Sequence, residues 1–204
     1  MKISYRQTLQ VGSYGVNATV LEIAGKAWIV DPGSEGDRIA ELLDGRSLVP
    51  AGILLTHAHF DHVGAIPELQ RRYPGLPVVV GDADKIVLSH PMNCLPPEYP
   101  GIGRVEGLLS YGESGSLPEG MEVVETPGHT PGGVCLYFPE DSLLLSGDTL
   151  FAGSVGRTDF PGGNMTALMA SIEKLKRLPD DTSVIPGHGS FTTIGAEKSG
   201  NPFF

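Results

Sequence analysis

Positive charge is scarce in this sequence. Fourteen Lys and Arg stand against 24 Asp and Glu, for a formal net charge of −10. That balance excludes the basic footprint of a nucleic-acid binder and is repelled by anionic membrane surfaces. Cysteine is scarce too. Cys94 and Cys135 are the only two, too few for a disulfide framework, and read as small buried or loop residues. No apolar run approaches the ~18 residues of a spanning helix. Met1 to Tyr5 lacks the apolar core and small-residue cleavage site of a signal peptide. The expectation is a cytoplasmic protein with neither nucleic-acid nor membrane partner. Oligomeric state has no signature here.

What the chain does have is 28 Gly and 17 Pro, scattered between apolar runs rather than pooled in a linker. Apolar content of 40 % and charged content of 19 % are ordinary for a globular chain. No repeat period or low-complexity tract is visible. One domain over residues 1–204 is expected, with many tight turns.

The apolar runs read as strands that alternate with helices. Val16 to Ile23 and Ala27 to Val30 form a hairpin around Ala24-Gly25-Lys26. Asp31 then reads as a turn or capping residue, or as a partner that supports a metal ligand. Ser34 to Asp44 has helical spacing with Ser34 as N-cap. Strands follow at 52–56, 77–81, 121–126, 133–138, 142–146 and 182–185, with helices from Val63 to Arg72 and from Asn164 to Leu178. The methionines of the last helix read as core. Residues 89–118 carry many prolines and no periodicity, the mark of a functional loop. His90, inside it, reads as a surface histidine, with substrate contact as the other reading.

Three of the six histidines fall within six positions, in Thr56-His57-Ala58-His59-Phe60-Asp61-His62. The segment follows the apolar run Gly52 to Leu55. His57 and His59, two apart on an extended end, point the same way. Imidazole and carboxylate suit zinc, and imidazole also suits iron; this segment by itself fits a mononuclear site as well as a binuclear one. The pattern then repeats. His129 follows a strand in Pro127-Gly128-His129, Asp148 in Ser146-Gly147-Asp148, and His188 in Pro186-Gly187-His188. Alone, Asp148 would read as a turn residue. With the others, it is one of seven ligands delivered by four strand ends, too many for one tetrahedral ion. They suit two ions with Asp148 as the shared carboxylate, and they imply hydrolysis through a hydroxide bridging the metals.

These motifs together resemble those of the metallo-β-lactamase superfamily. The resemblance covers nearly the whole chain and implies an α/β fold, an αββα sandwich of two mixed sheets flanked by helices. Within the superfamily the chain is similar to short, single-domain glyoxalase II (hydroxyacylglutathione hydrolase), in Phe151 to Asn164 and in the tail from Ile185. By that resemblance His57, His59 and His129 bind one metal, Asp61, His62 and His188 bind the other, and Asp148 bridges them, with Asp61 and Asp148 acting in catalysis. The implied cofactors are two divalent ions, zinc and/or iron, with manganese also compatible. The implied partner is a small-molecule thioester such as S-lactoylglutathione. Full-length glyoxalase II carries a further C-terminal helical segment that contacts glutathione. The residues here stop about where it would begin, so the 89–118 loop is the expected source of substrate contacts. Gly156 to Phe160 is also similar to mononuclear iron persulfide dioxygenases, the oxidoreductase alternative.

Overall fold

A computed structural model describes residues 2–90, 101–113 and 117–204. Part of the irregular 89–118 stretch, residues 91–100 and 114–116, therefore lies outside the described residues, Cys94 included. The first sheet has six strands in sequence order: β1 (Ile3–Val11), β2 (Val16–Ile23), β3 (Lys26–Val30), β4 (Pro50–Leu54), β5 (Val78–Val80) and β6 (Leu108–Ser110). Its first three strands pair antiparallel, and β3 to β6 pair parallel. The second sheet has five strands in the order β13 (Thr192–Thr193), β12 (Ser183–Pro186), β9 (Leu143–Gly147), β8 (Val134–Phe138), β7 (Glu122–Glu125). There β12 and β9 are parallel and the other pairs antiparallel. A small hairpin, β10 (Leu150–Phe151) with β11 (Ser154–Val155), follows β9.

The period-2 alternation of side chains sorts the core into three layers. On β8, Val134, Leu136 and Phe138 face the first sheet, where they meet Leu21, Trp28, Leu54 and Val79. Cys135 and Tyr137 point the other way, onto Ile172, Leu175 and Ile194. Those three belong to α4 (Met165–Leu175) and α5 (Ile194–Gly200). The outer face of the first sheet is covered by Ile39 and Leu43 of α1 (Gly36–Gly45) and by Ile66 and Leu69 of α3 (Ile66–Arg72). Helix, sheet, sheet and helix are stacked in that order. Strands buried on both faces explain why the central runs are continuously apolar.

Several local expectations change. The long strand β1 and the short strands β6, β10, β11 and β13, with α5, had no counterpart in the sequence reading. Ser34 is not the N-cap of α1. Glu35 is, at a left-handed φ of 56°, and its side chain makes no capping bond. It accepts from Gly12 N and pairs with Arg38 instead. The helix expected from Val63 is split into a short α2 (Phe60–Val63) and α3. On α4, Asn164 caps by accepting from Ala167 N. Met165 of that helix is 47 % exposed and so is not core, while Leu168, Ile172 and Leu175 are buried. No helix among the described residues is long and apolar enough to cross a membrane.

Leu136 is fully buried between the sheets. Leu136→Ala should destabilise the fold by about 2–5 kcal/mol, through lost burial and the cavity left behind. A urea midpoint shift at unchanged slope checks it; a change under about 1 kcal/mol would mean the sheets close over the gap.

Candidate metal centre

Each expected ligand sits just past a strand at one edge of the sandwich. His57 and His59 follow β4, and Asp61 and His62 lie in α2. His129 follows β7, Asp148 follows β9 and His188 follows β12. One sheet supplies the first four and the other sheet the last three. The two are joined at this edge: Asn17 N donates to Gly187 O at 2.8 Å, Val16 forms a bridge with His188, and Asn17 Nδ2 donates to Pro186 O and Gly189 O.

All seven side chains meet. Three groups have donor atoms within 4.8 Å of one another: His57, His59 and His129; His57, His62 and Asp148; and Asp61, His62 and His188. Asp148 lies between them. Its Oδ2 is 3.5 Å from His129 Nε2 and 3.6 Å from His188 Nε2, and its Oδ1 is 3.4 Å from His62 Nε2. Asp61 Oδ2 is 3.2 Å from His188 Nε2.

The far side of the histidine rings is held by protein oxygens, the arrangement that fixes ring orientation in metal sites. His129 Nδ1 faces Arg157 O at 2.7 Å, and His188 Nδ1 faces Tyr14 O at 2.9 Å. His57 Nδ1 faces Thr56 Oγ1 at 3.2 Å. His62 Nδ1 lies 3.1 Å from Asp31 Oδ2, close enough for an ion pair though not aligned as a hydrogen bond. Asp31 also accepts from Thr56 N and Thr56 Oγ1. Of its two readings the supporting one is what these contacts with Thr56 and His62 favour. Thr56, Asn17 and Asp84 were missed by the sequence reading. Asp84, like the ligands, follows an apolar strand, and that signal was present.

The inner nitrogens tell the other half. His57 Nε2, His129 Nε2 and Asp148 Oδ1 are buried with no hydrogen-bond partner. Buried polar atoms rarely stay unpaired, and five imidazoles with two carboxylates are a donor set for zinc, iron or a similar divalent ion. The residues fit metal. Space is kept by Gly187, where a Cβ would collide with Asp148 Oδ1 and stand 2.7 Å from His62 Cε1.

The imidazoles carry unequal proton loads in the metal-free chain. Burial, with neighbouring imidazoles adding, holds His57 well below 6.5 and His59 at about 4. Burial also pulls His62 down, but Asp148, Asp31 and Asp61 outweigh it and hold it well above 6.5. His188 is raised as well, burial being outweighed by Asp61 and Asp148. Burial pushes Asp148 and Asp61 up, and the histidines around them pull both below the ordinary carboxylate value.

Beside His59 opens a cavity of about 200 Å3 walled by Ile86, Val87, His90, Pro131 and Pro161. His90 stands on its wall. A larger cavity of about 600 Å3, with Asp82, Glu113 and Glu125 on its lining, touches none of the seven residues.

Geometry and comparison agree. The model of the metallo-beta-lactamase superfamily matches residues 11–188. The chain is 38% identical over 207 residues to a probable metallo-hydrolase, YqgX, of Bacillus subtilis (strain 168), covering 96% of this chain and 95% of that one. It is 36% identical to the hydroxyacylglutathione hydrolase GloC of Haemophilus influenzae, covering 87% of this chain and 86% of that protein. Among solved structures, that of TTHA1623 in a di-iron-bound form superposes with a TM-score of 0.88 at 38% identity, over 97% of this chain and 100% of the other. This chain belongs to the metallo-β-lactamase superfamily, and its fold is that family's.

Two outcomes are expected. Gly187→Ala should empty the site, lowering bound metal in elemental analysis while the circular dichroism of the fold persists; full metal content would mean the edge can yield. Metal entering the Asp61, His62 and His188 pocket must displace protons, whereas His57 and His59 have none to lose. If each cluster holds an ion, lowering the pH from about 8 to about 6 should therefore weaken that pocket first. Calorimetric titration in buffers of different ionisation enthalpy reads the proton release, and equal loss from both pockets would refute the assignment. The sign for the metal-free fold is opposite. The His62 and His188 ion pairs stabilise it below their ordinary pKa, and that contribution fades as pH rises through their raised values.

Proposed function

We propose that the chain is a binuclear metal-dependent thioesterase acting on S-lactoylglutathione or a similar hydroxyacyl thioester. The observation that carries the reading is Asp148, whose Oδ2 stands within 3.6 Å of a histidine from each of two ligand clusters. His57, His59 and His129 would hold one ion, Asp61, His62 and His188 the other, and Asp148 both. Divalent ions held by these residues would acidify a water and polarise a carbonyl oxygen.

The chain's own groups do the rest. Asp61 and Asp148 remain ionised, since the histidines hold both below the usual carboxylate value. They can orient a water by accepting from it, and they are not proton donors. A leaving group that needs no acid suits such a site. A thiol, with a pKa near ~8.5, departs as thiolate, whereas an amine does not. The cavity beside His59 gives the acyl or thiol portion an apolar wall with His90 as its polar contact. Similarity to GloC supports the hydroxyacylglutathione class.

The test is turnover by the zinc- or iron-loaded protein of S-D-lactoylglutathione against a panel of other thioesters. Rapid metal-dependent loss of the lactoyl thioester is expected. Activity confined to other thioesters would keep the chemistry and change the substrate. No hydrolysis, with oxygen uptake on glutathione persulfide by the iron form, would replace this reading with the dioxygenase. Asp148→Ala should lose both metal and rate, the latter by about 100-fold or more. Two bound ions and near-normal turnover in that variant would defeat the shared-carboxylate assignment.

A further inference from the structure

Asp84 is fully buried, yet it belongs to none of the ligand groups. It lies in a 3-10 turn, Asp82–Lys85, just after β5. Its carboxylate takes three donors. Oδ2 accepts from Ala58 N at 3.0 Å and from Thr130 Oγ1 at 2.8 Å. Oδ1 accepts from Gly132 N at 2.6 Å. Ala58 is the residue between His57 and His59, and Thr130 is the residue after His129. One side chain therefore ties together the two backbone segments that carry the His57, His59 and His129 cluster, one from each sheet. The fit is close on the far side too, where a Cβ on Gly132 would stand 2.8 Å from Asp84 Oδ1.

The other cluster is held by different groups. His62 rests against Asp31, and His188 against Tyr14 O. Asn17 fixes the backbone on either side of His188 through Pro186 O and Gly189 O. None of the three bonds to Asp84 involves Asp61, His62 or His188.

We propose that Asp84 is a positioning residue for one metal pocket alone, setting the separation of the His57/His59 segment from His129 without acting on the Asp61, His62 and His188 pocket. The proposal rests on the reading of these clusters as metal sites. The chemistry requires a carboxylate. Three N–H or O–H donors converge on two oxygens, and a carboxamide would turn an N–H2 against at least one of them. A leaving strain of that kind loosens ligands without removing any.

Metal content and affinity test it, with the thermal midpoint of the metal-free chain as control. Wild type should bind two zinc ions. Asp84→Asn should bind one tightly and hold the second about 10- to 100-fold more weakly, the range for loss of an outer-shell partner. The pocket is identified by combination. His188→Ala alone should keep one ion at wild-type affinity, and His188→Ala with Asp84→Asn should hold that ion about 10- to 100-fold more weakly. His129→Ala with Asp84→Asn should match His129→Ala. Should Asp84→Asn fold poorly, Thr130→Val removes a single donor and should weaken the same pocket less. Two unaltered ions in Asp84→Asn, or equal weakening of both, would overturn the assignment. A wild type that binds no metal would overturn the metal reading itself, which sets the two failures apart.

Discussion

Five imidazoles and two carboxylates crowd one edge of the sandwich, and the rest of the structure answers to that crowding. Such a group cannot be buried on its own terms. Three of its inner atoms lack partners, and its histidines push one another's pKa down where no carboxylate intervenes. The sheets supply what makes it tolerable. Strand ends place backbone oxygens and the Asp31 carboxylate behind the rings, and a glycine at 187 leaves the carboxylate of Asp148 its room. A divalent cation is what the inner face calls for, and the fold is a scaffold built to hold that face together.

The two halves of the centre are built differently. One is a nest of histidines in which burial keeps His57 and His59 neutral, His59 at about 4. The other mixes histidine with carboxylate and holds its protons. Imidazole alone would suit a softer ion, and imidazole with carboxylate a harder one. Asp148 lies within reach of both, and it is the carboxylate nearest the histidine-only half.

The ligands were legible because each follows an apolar run and four such endings repeat. The central strands were legible for the same reason, since burial on both faces leaves little polar interruption. What escaped was either short or half exposed. β1 alternates exposed and partly buried residues over Ile3–Val11 and has only one apolar face to show. The strands β10, β11 and β13 are two residues each and exist through pairing alone. Ser34 looked like a cap because serine accepts well there, but the chain turns through a left-handed Glu35 whose carboxylate is engaged by Gly12 and Arg38. Asp84 sits in Gly81-Asp82-Ala83-Asp84, where spacing cannot say which aspartate turns inward. Asp31 had two fair readings, and only the position of Thr56 and His62 around it favours one.

Cys135 is a free thiol, raised by burial to about 11 and packed under α4. With only two cysteines in the chain, a disulfide framework cannot be what holds its distant parts together. The ligands, by contrast, come from four strand ends far apart in the chain and from both sheets. A cation gripping them is a cross-link in all but covalent character. It ties ends that the unfolded chain would otherwise have to bring together at the entropic cost of long loops. The same atoms that would do chemistry would thus also act as the clasp of the sandwich.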